Sequence, residues 1–118
     1  MICKLRWTPE ALKDLDRIWE EVLEASGEMD TADRYIAWLR MAVSRKREFP
    51  ESGTPLNFMG VFTGIRFVHF KRYLAFYRIQ SDRLEVIRIL FDSSDYMDKL
   101  FGYIDSDPGP DSLILQEK

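Results

Sequence analysis

The chain has 118 residues, of which 46% are hydrophobic and 31% charged, with a formal net charge of −3. That suffices for one soluble domain with a single core and no covalent staples. The lone cysteine, Cys3, excludes an internal disulfide and fits a reducing cytoplasm, and no apolar run approaches a membrane span or the core of a signal peptide.

Cys3 to Trp7 reads as a short edge strand. Thr8-Pro9-Glu10 then marks a helix start: a cap oxygen, a proline suited to the first turn, and an acid at the positive end of the dipole. Ala11, Leu12, Leu15, Ile18, Trp19, Val22 and Leu23 follow at helical spacing. Asp14, Asp16, Glu20, Glu21 and Glu24 fall mostly off that stripe and read as a solvated face. Ser26-Gly27 breaks the pattern, and Asp30 or Thr31 can cap a second helix with Ala32, Tyr35, Ile36, Leu39, Ala42 and Val43 on its apolar side. It should end near Phe49-Pro50, because the residue before proline disfavours helix. Arg40, Arg45, Lys46 and Arg47 in its second half suit the negative end of the dipole, or a contact with a partner.

Pro50 to Thr63 reads as a loop, with two prolines and two glycines among fourteen residues. Three strands rich in β-branched and aromatic residues come next: Gly64 to Phe70, Tyr73 to Gln80 and Arg83 to Phe91. The breaks Lys71-Arg72 and Ser81-Asp82 are short enough for hairpins. Asp92-Ser93-Ser94 can cap a last helix from Asp95 to Phe101, which Gly102 would end. Residues 104–118 form an acidic tail of net charge −3, with an apolar patch at Leu113-Ile114-Leu115 that can dock on the domain or a partner. Residues 1–103 are the expected folded domain.

Two-residue loops place Arg66 opposite Tyr77, Tyr77 opposite Val86, Ala75 opposite Arg88, Phe70 opposite Tyr73, and Arg78 opposite Glu85 as a cross-strand ion pair. Alternation then puts Ile65, Phe67, His69, Leu74, Phe76, Ile87, Ile89 and Phe91 on one face, which should pack against the helices. The other face interleaves Arg66, Tyr73, Tyr77 and Arg88 with apolar residues and is expected to remain free for a partner. Residues 60 to 91 carry six basic groups against two acidic ones, a local excess that favours an acidic partner or a phosphate backbone.

His69 is the only histidine, so no His pair and no His-rich metal site exists; its alternation with Phe67 makes it a packed or rim residue. One Cys and one His leave no structural zinc site. No Gly-rich phosphate loop precedes a helix, and no Ser-His-Asp set converges. No metal and no cofactor is expected. If the chain cleaves RNA, Arg66 and Arg88 would hold the phosphorane charge.

The order strand, helix, helix, three strands resembles the RelE/ParE toxins of type II toxin–antitoxin modules. The landmarks are W-T-P-E-A at 7–11, F-P-E-S-G at 49–53, G-I-R at 64–66, R-Y-L-A-F-Y-R-I at 72–79, and V-I-R-I-L at 86–90 followed by Asp92 and Asp95. The resemblance spans roughly residues 3 to 101. It implies a small cytoplasmic, growth-inhibiting toxin of the plasmid-stabilisation type, held in a hetero-oligomer by a cognate antitoxin. The RelE-like branch cleaves mRNA on the ribosome; the ParE-like branch poisons DNA gyrase. RelE-like nucleases usually carry Arg where this chain has Tyr73, and many relatives have His at the position of Phe91. Of the groups such nucleases place after the last strand, only Tyr96 is present. R-Y-L-A-F-Y-R looks more like the ParE side.

The expected architecture is α+β: an N-terminal strand, an α-helical hairpin on one face of a small, mainly antiparallel twisted sheet, and a short C-terminal helix. The leading function is a ParE-like toxin that acts by binding, with gyrase as the implied target and Arg66, Tyr73, Tyr77 and Arg88 as the expected partner-binding residues. The alternatives are a ribosome-dependent endoribonuclease using Arg66, Arg88 and Tyr96, and an inactive scaffold that only binds a partner.

Overall fold

The computed structural model describes residues 3–105. The chain runs β1 (Lys4–Trp7), α1 (Pro9–Ser26), α2 (Met29–Ser44), two single 3-10 turns (Arg45–Arg47 and Pro50–Ser52), β2 (Thr54–Phe58), β3 (Val61–Phe70), β4 (Tyr73–Gln80), β5 (Arg83–Phe91) and α3 (Tyr96–Asp105). The sheet order is β1-β5-β4-β3-β2, with β1 parallel to β5 and every other pair antiparallel.

Thr8 caps α1 as expected: its Oγ1 accepts from the Ala11 amide at 3.1 Å and donates to the Ile87 carbonyl of β5 at 3.1 Å. Gly27 ends the helix in the left-handed region, φ 75°, where a side chain would be strained. The α2 cap differs from expectation. The helix starts at Met29 after Glu28, and Thr31 donates to the Glu28 carboxylate at 2.9 Å instead of capping. Helical geometry continues past Ser44 as the first 3-10 turn, so the chain leaves it close to the expected Phe49-Pro50.

Where a loop was expected between Pro50 and Thr63, a fourth antiparallel strand forms. β2 is the outer edge of the sheet, so Pro55 loses no needed amide bond there. Met59-Gly60 joins it to β3 with both residues at positive φ, 54° and 81°. The predicted hairpin turns also hold, with Lys71 and Ser81 in the left-handed conformation that glycine usually supplies. The expected last helix runs on to Asp105. The tail patch Leu113-Ile114-Leu115 lies outside the described residues.

The register pairs Arg66 with Tyr77, Tyr77 with Val86, Phe70 with Tyr73 and Arg78 with Glu85. Ala75, however, faces Ile89 and not Arg88. A bulge opposite Phe76–Tyr77 inserts one extra residue in β5, between Val86 and Arg88. Alternation therefore slips there, and Ile89 joins the side occupied by Tyr77 and Val86.

The helices cover the face expected to be free. Ala11, Leu15 and Ile18 of α1 and Leu39 and Val43 of α2 form one core with Tyr73, Ala75, Tyr77, Leu84, Val86 and Ile89. The opposite face holds a second core of Leu56, Ile65, Leu74, Phe76 and Leu90, roofed by Tyr96, Met97, Leu100 and Phe101 of α3. Both sides of the sheet are thus covered. Ala11 and Ala75 let α1 lie close to the strands, and the polar tips of Tyr73, Tyr77 and Arg88 each find a partner beneath the helices.

Candidate functional site

Four residues were expected to form a partner-binding face, and each is tied down by its surroundings. Tyr77 is fully buried; its hydroxyl donates to the Pro50 carbonyl at 2.5 Å and accepts from the Gly53 amide at 3.0 Å. Burial pushes this phenol up, against the lowering pull of the Gly53 amide and Arg66. Arg66, its cross-strand neighbour, donates to the carbonyls of Glu51 (3.0 Å) and Gly53 (3.2 Å) and lies over the Phe62 ring. Together they clamp the Pro50–Gly53 turn onto the sheet.

Tyr73 is 4% exposed, donates to Glu21 of α1 at 2.8 Å, and stacks on Phe91 with ring centres 4.7 Å apart. Burial and then the Glu21 carboxylate push its phenol far above the ordinary value. Arg88 is held by Asp14 of α1 through Nε at 2.8 Å and Nη2 at 3.2 Å. The bond to Asp14 raises its pKa further, so it is a permanent cation. Asp14 also accepts from Arg17 (2.7 Å) and the Ile89 amide (2.8 Å). The expectation of an open Arg/Tyr face is therefore corrected: Tyr73 and Tyr77 lie inside the core, and Arg88 spends its fork on an internal carboxylate.

Tyr96 sits on the other side of the sheet, half-buried against Phe76 at 5.3 Å. The sheet thus separates it from Arg66 and Arg88. His69 is exposed, as a rim residue, with Nε2 3.0 Å from Asp92. The Arg78–Glu85 pair forms at 2.8 Å, and Arg6 of β1 adds a second guanidinium to the same carboxylate. Among the described residues, no three of His, Cys, Asp and Glu converge as metal ligands, and no described helix is long and apolar enough to cross a membrane.

The surface that is open lies elsewhere. Trp38 and Met41 project from α2, and Phe58, Met59, Val61 and Phe62 crowd the β2–β3 turn; all six are exposed. In the sequence, Trp38 and Met41 stand three apart and off the buried stripe of Ala32, Leu39 and Val43, a signal available from periodicity alone.

A family model described as the ParE toxin of the type II toxin–antitoxin system parDE matches residues 5–96. A search among curated proteins finds no match. Among solved structures, the chromosomal ParDE system of P. aeruginosa is similar at 20% identity and TM-score 0.65, covering 76% of this chain and 96% of that one. The RelBE2 toxin–antitoxin complex of Mycobacterium tuberculosis is similar at 19% identity and TM-score 0.53, covering 77% and 99%. The YoeB/ParE toxin of Agrobacterium tumefaciens is similar at 22% identity and TM-score 0.53, covering 75% and 96%. These structures share the fold described above. With the family model spanning most of the domain, from β1 to the start of α3, the chain belongs to the ParE toxins of type II toxin–antitoxin systems.

Proposed function

We propose that this toxin arrests growth by binding DNA gyrase in the cytoplasm, and that a cognate antitoxin neutralises it. The observation that carries the reading is the partition of Arg66, Arg88 and Tyr96 by the sheet, with both guanidiniums already engaged. Metal-free RNA cleavage needs a base, an acid and cations converging on one phosphate. A binding toxin needs exposed shape and apolar surface, which Trp38, Met41, Phe58 and Met59 supply. The similar P. aeruginosa and M. tuberculosis structures are toxin–antitoxin systems, which supports an antitoxin partner.

One observation favours a ribosome-dependent endoribonuclease instead. His69 is exposed and paired with Asp92, and an imidazole held by a carboxylate is a group that general acid–base catalysis can use. A paired assay separates the two readings. The purified chain is added to gyrase supercoiling reactions and to programmed ribosomes carrying mRNA. The gyrase reading expects loss of supercoiling and intact mRNA. Cleavage that disappears in His69→Ala would replace it with the nuclease reading. Full growth on expression, with neither activity, would leave an inactive scaffold.

A further inference from the structure

The turn that Tyr77 and Arg66 clamp carries an aromatic ring into solvent. Phe49 stands at its entrance with 68% of its surface exposed, and the Ser52 amide donates back to the Phe49 carbonyl at 2.9 Å. The ring lines a groove of about 300 Å³ together with Glu48, Pro50, Glu51, Ser52 and Ile79 at the end of β4. Ile79 is itself 39% exposed. This is the end of β4 that leads into the Ser81-Asp82 turn, away from the Lys71-Arg72 turn at the strand's other end.

The backbone beside the ring is fixed. The buried Tyr77 hydroxyl holds the Pro50 carbonyl and the Gly53 amide, and Arg66 holds the carbonyls of Glu51 and Gly53. The platform is thus ordered before any partner arrives, which lowers the entropy cost of binding on it. Both ionised side chains of the groove are acidic, and neither Glu48 nor Glu51 takes part in a salt bridge among the described residues. The neighbouring arginines are committed: Arg47 to the Cys3 carbonyl at 2.9 Å, Arg66 to the carbonyls of the turn, and Arg78 to Glu85.

The geometry points to this groove as the seat of an arginine-bearing segment of the protein that the toxin attacks. A guanidinium stacks on the Phe49 ring and donates its N–H groups to the Glu48 and Glu51 carboxylates, while an adjoining apolar side chain rests on Pro50 and Ile79. Charge complementarity selects this occupant. An acidic segment would set carboxylate against carboxylate, and a purely apolar one would leave both carboxylates unpaired. The inference rests on the reading of the chain as a toxin that acts by binding gyrase, and adds where the target is held and by which side chain.

The test titrates the full chain with a labelled peptide of alternating Arg and Leu, and with its counterpart in which every Arg is Glu. The arginine peptide should bind roughly tenfold or more tightly than the acidic one, and less tightly as salt rises. Phe49→Ala, and Glu48→Gln combined with Glu51→Gln, all at exposed positions, should each weaken it by about tenfold while circular dichroism stays unchanged. Equal binding of the two peptides, no binding of the arginine peptide, or indifference to these substitutions would overturn the proposal. The same variants enter the gyrase supercoiling assay, where each should require roughly tenfold more chain than the wild type to inhibit. Inhibition undiminished in both variants sinks the groove and leaves the gyrase reading standing. A wild-type chain that spares gyrase yet holds the arginine peptide through Phe49 keeps the groove and removes gyrase as the owner of the segment.

Discussion

Asp14 accepts hydrogen bonds from Arg17, from two nitrogens of Arg88 and from the Ile89 amide, while only 2% of it meets solvent. Removing Asp14 leaves the partly buried Arg88 cation without its carboxylate and the buried Ile89 amide without an acceptor. Asp14→Ala should therefore cost about 3–5 kcal/mol of stability, read from urea midpoints. Glu85 is the second enclosed carboxylate. Burial raises its pKa, but the hydrogen bonds and charges of Arg78 and Arg6 outweigh that, so it titrates below the ordinary 4.5. A carboxyl lowered on folding adds stability that is complete above the unfolded pKa and lost as pH falls through the folded one. Stability should accordingly decline below pH 4.5, and Glu85→Gln should flatten that limb in unfolding curves taken across the acid range. Gly53 is a third sensitive point. A Cβ there would lie 2.1 Å from the Tyr77 hydroxyl oxygen, so Gly53→Ala should cost about 1–3 kcal/mol in the same assay. The Arg78–Glu85 pair was readable from hairpin register alone. Asp14 was not, because its helical position adjoins the apolar stripe and only a cation from a distant strand makes its burial tolerable.

At the scale of elements, the hydrophobic pattern located both long helices and the three long strands. The face on which the helices settle escaped it for two reasons. The extra residue in β5 shifts alternation halfway along, carrying Ile89 to the helix side. Tyr73 and Tyr77 look amphipathic in sequence, yet Glu21 and the Pro50–Gly53 turn satisfy their hydroxyls and let the rings be enclosed. β2 was hidden because Pro55 argues against a strand unless the strand lies at an edge, and edge position is a property of the sheet. The Thr8 cap shows the opposite case, a local signal that held. It now also joins α1 to β5 through the Ile87 carbonyl. Thr8→Ala should lower stability by about 1–2 kcal/mol, and Thr8→Ser should restore most of it, measured by thermal melting.

Across the whole molecule, one sheet carries a core on each side, and three phenols, Tyr35, Tyr73 and Tyr77, lie in the layer under α1 and α2. Tyr35, Tyr73 and Tyr77 all have pKa values pushed above 10.0, burial being the largest cause for each. A group raised on folding contributes stability that is complete below its unfolded pKa and lost as pH rises through the folded one. Melting temperature should thus hold until about pH 10 and drop beyond it, with a shallower drop in Tyr73→Phe; an unchanged slope in that variant would contradict the account. The parallel pairing of β1 with β5 has a further result for synthesis. The first strand made must wait for the last, since Lys4 to Trp7 align with Arg83 to Val86 and Asp14 waits for Arg88. Translation has to pass β5 before the domain can close, so a growing or prematurely ended polypeptide carries an unassembled domain in which α1 has neither its sheet nor the partner of Asp14.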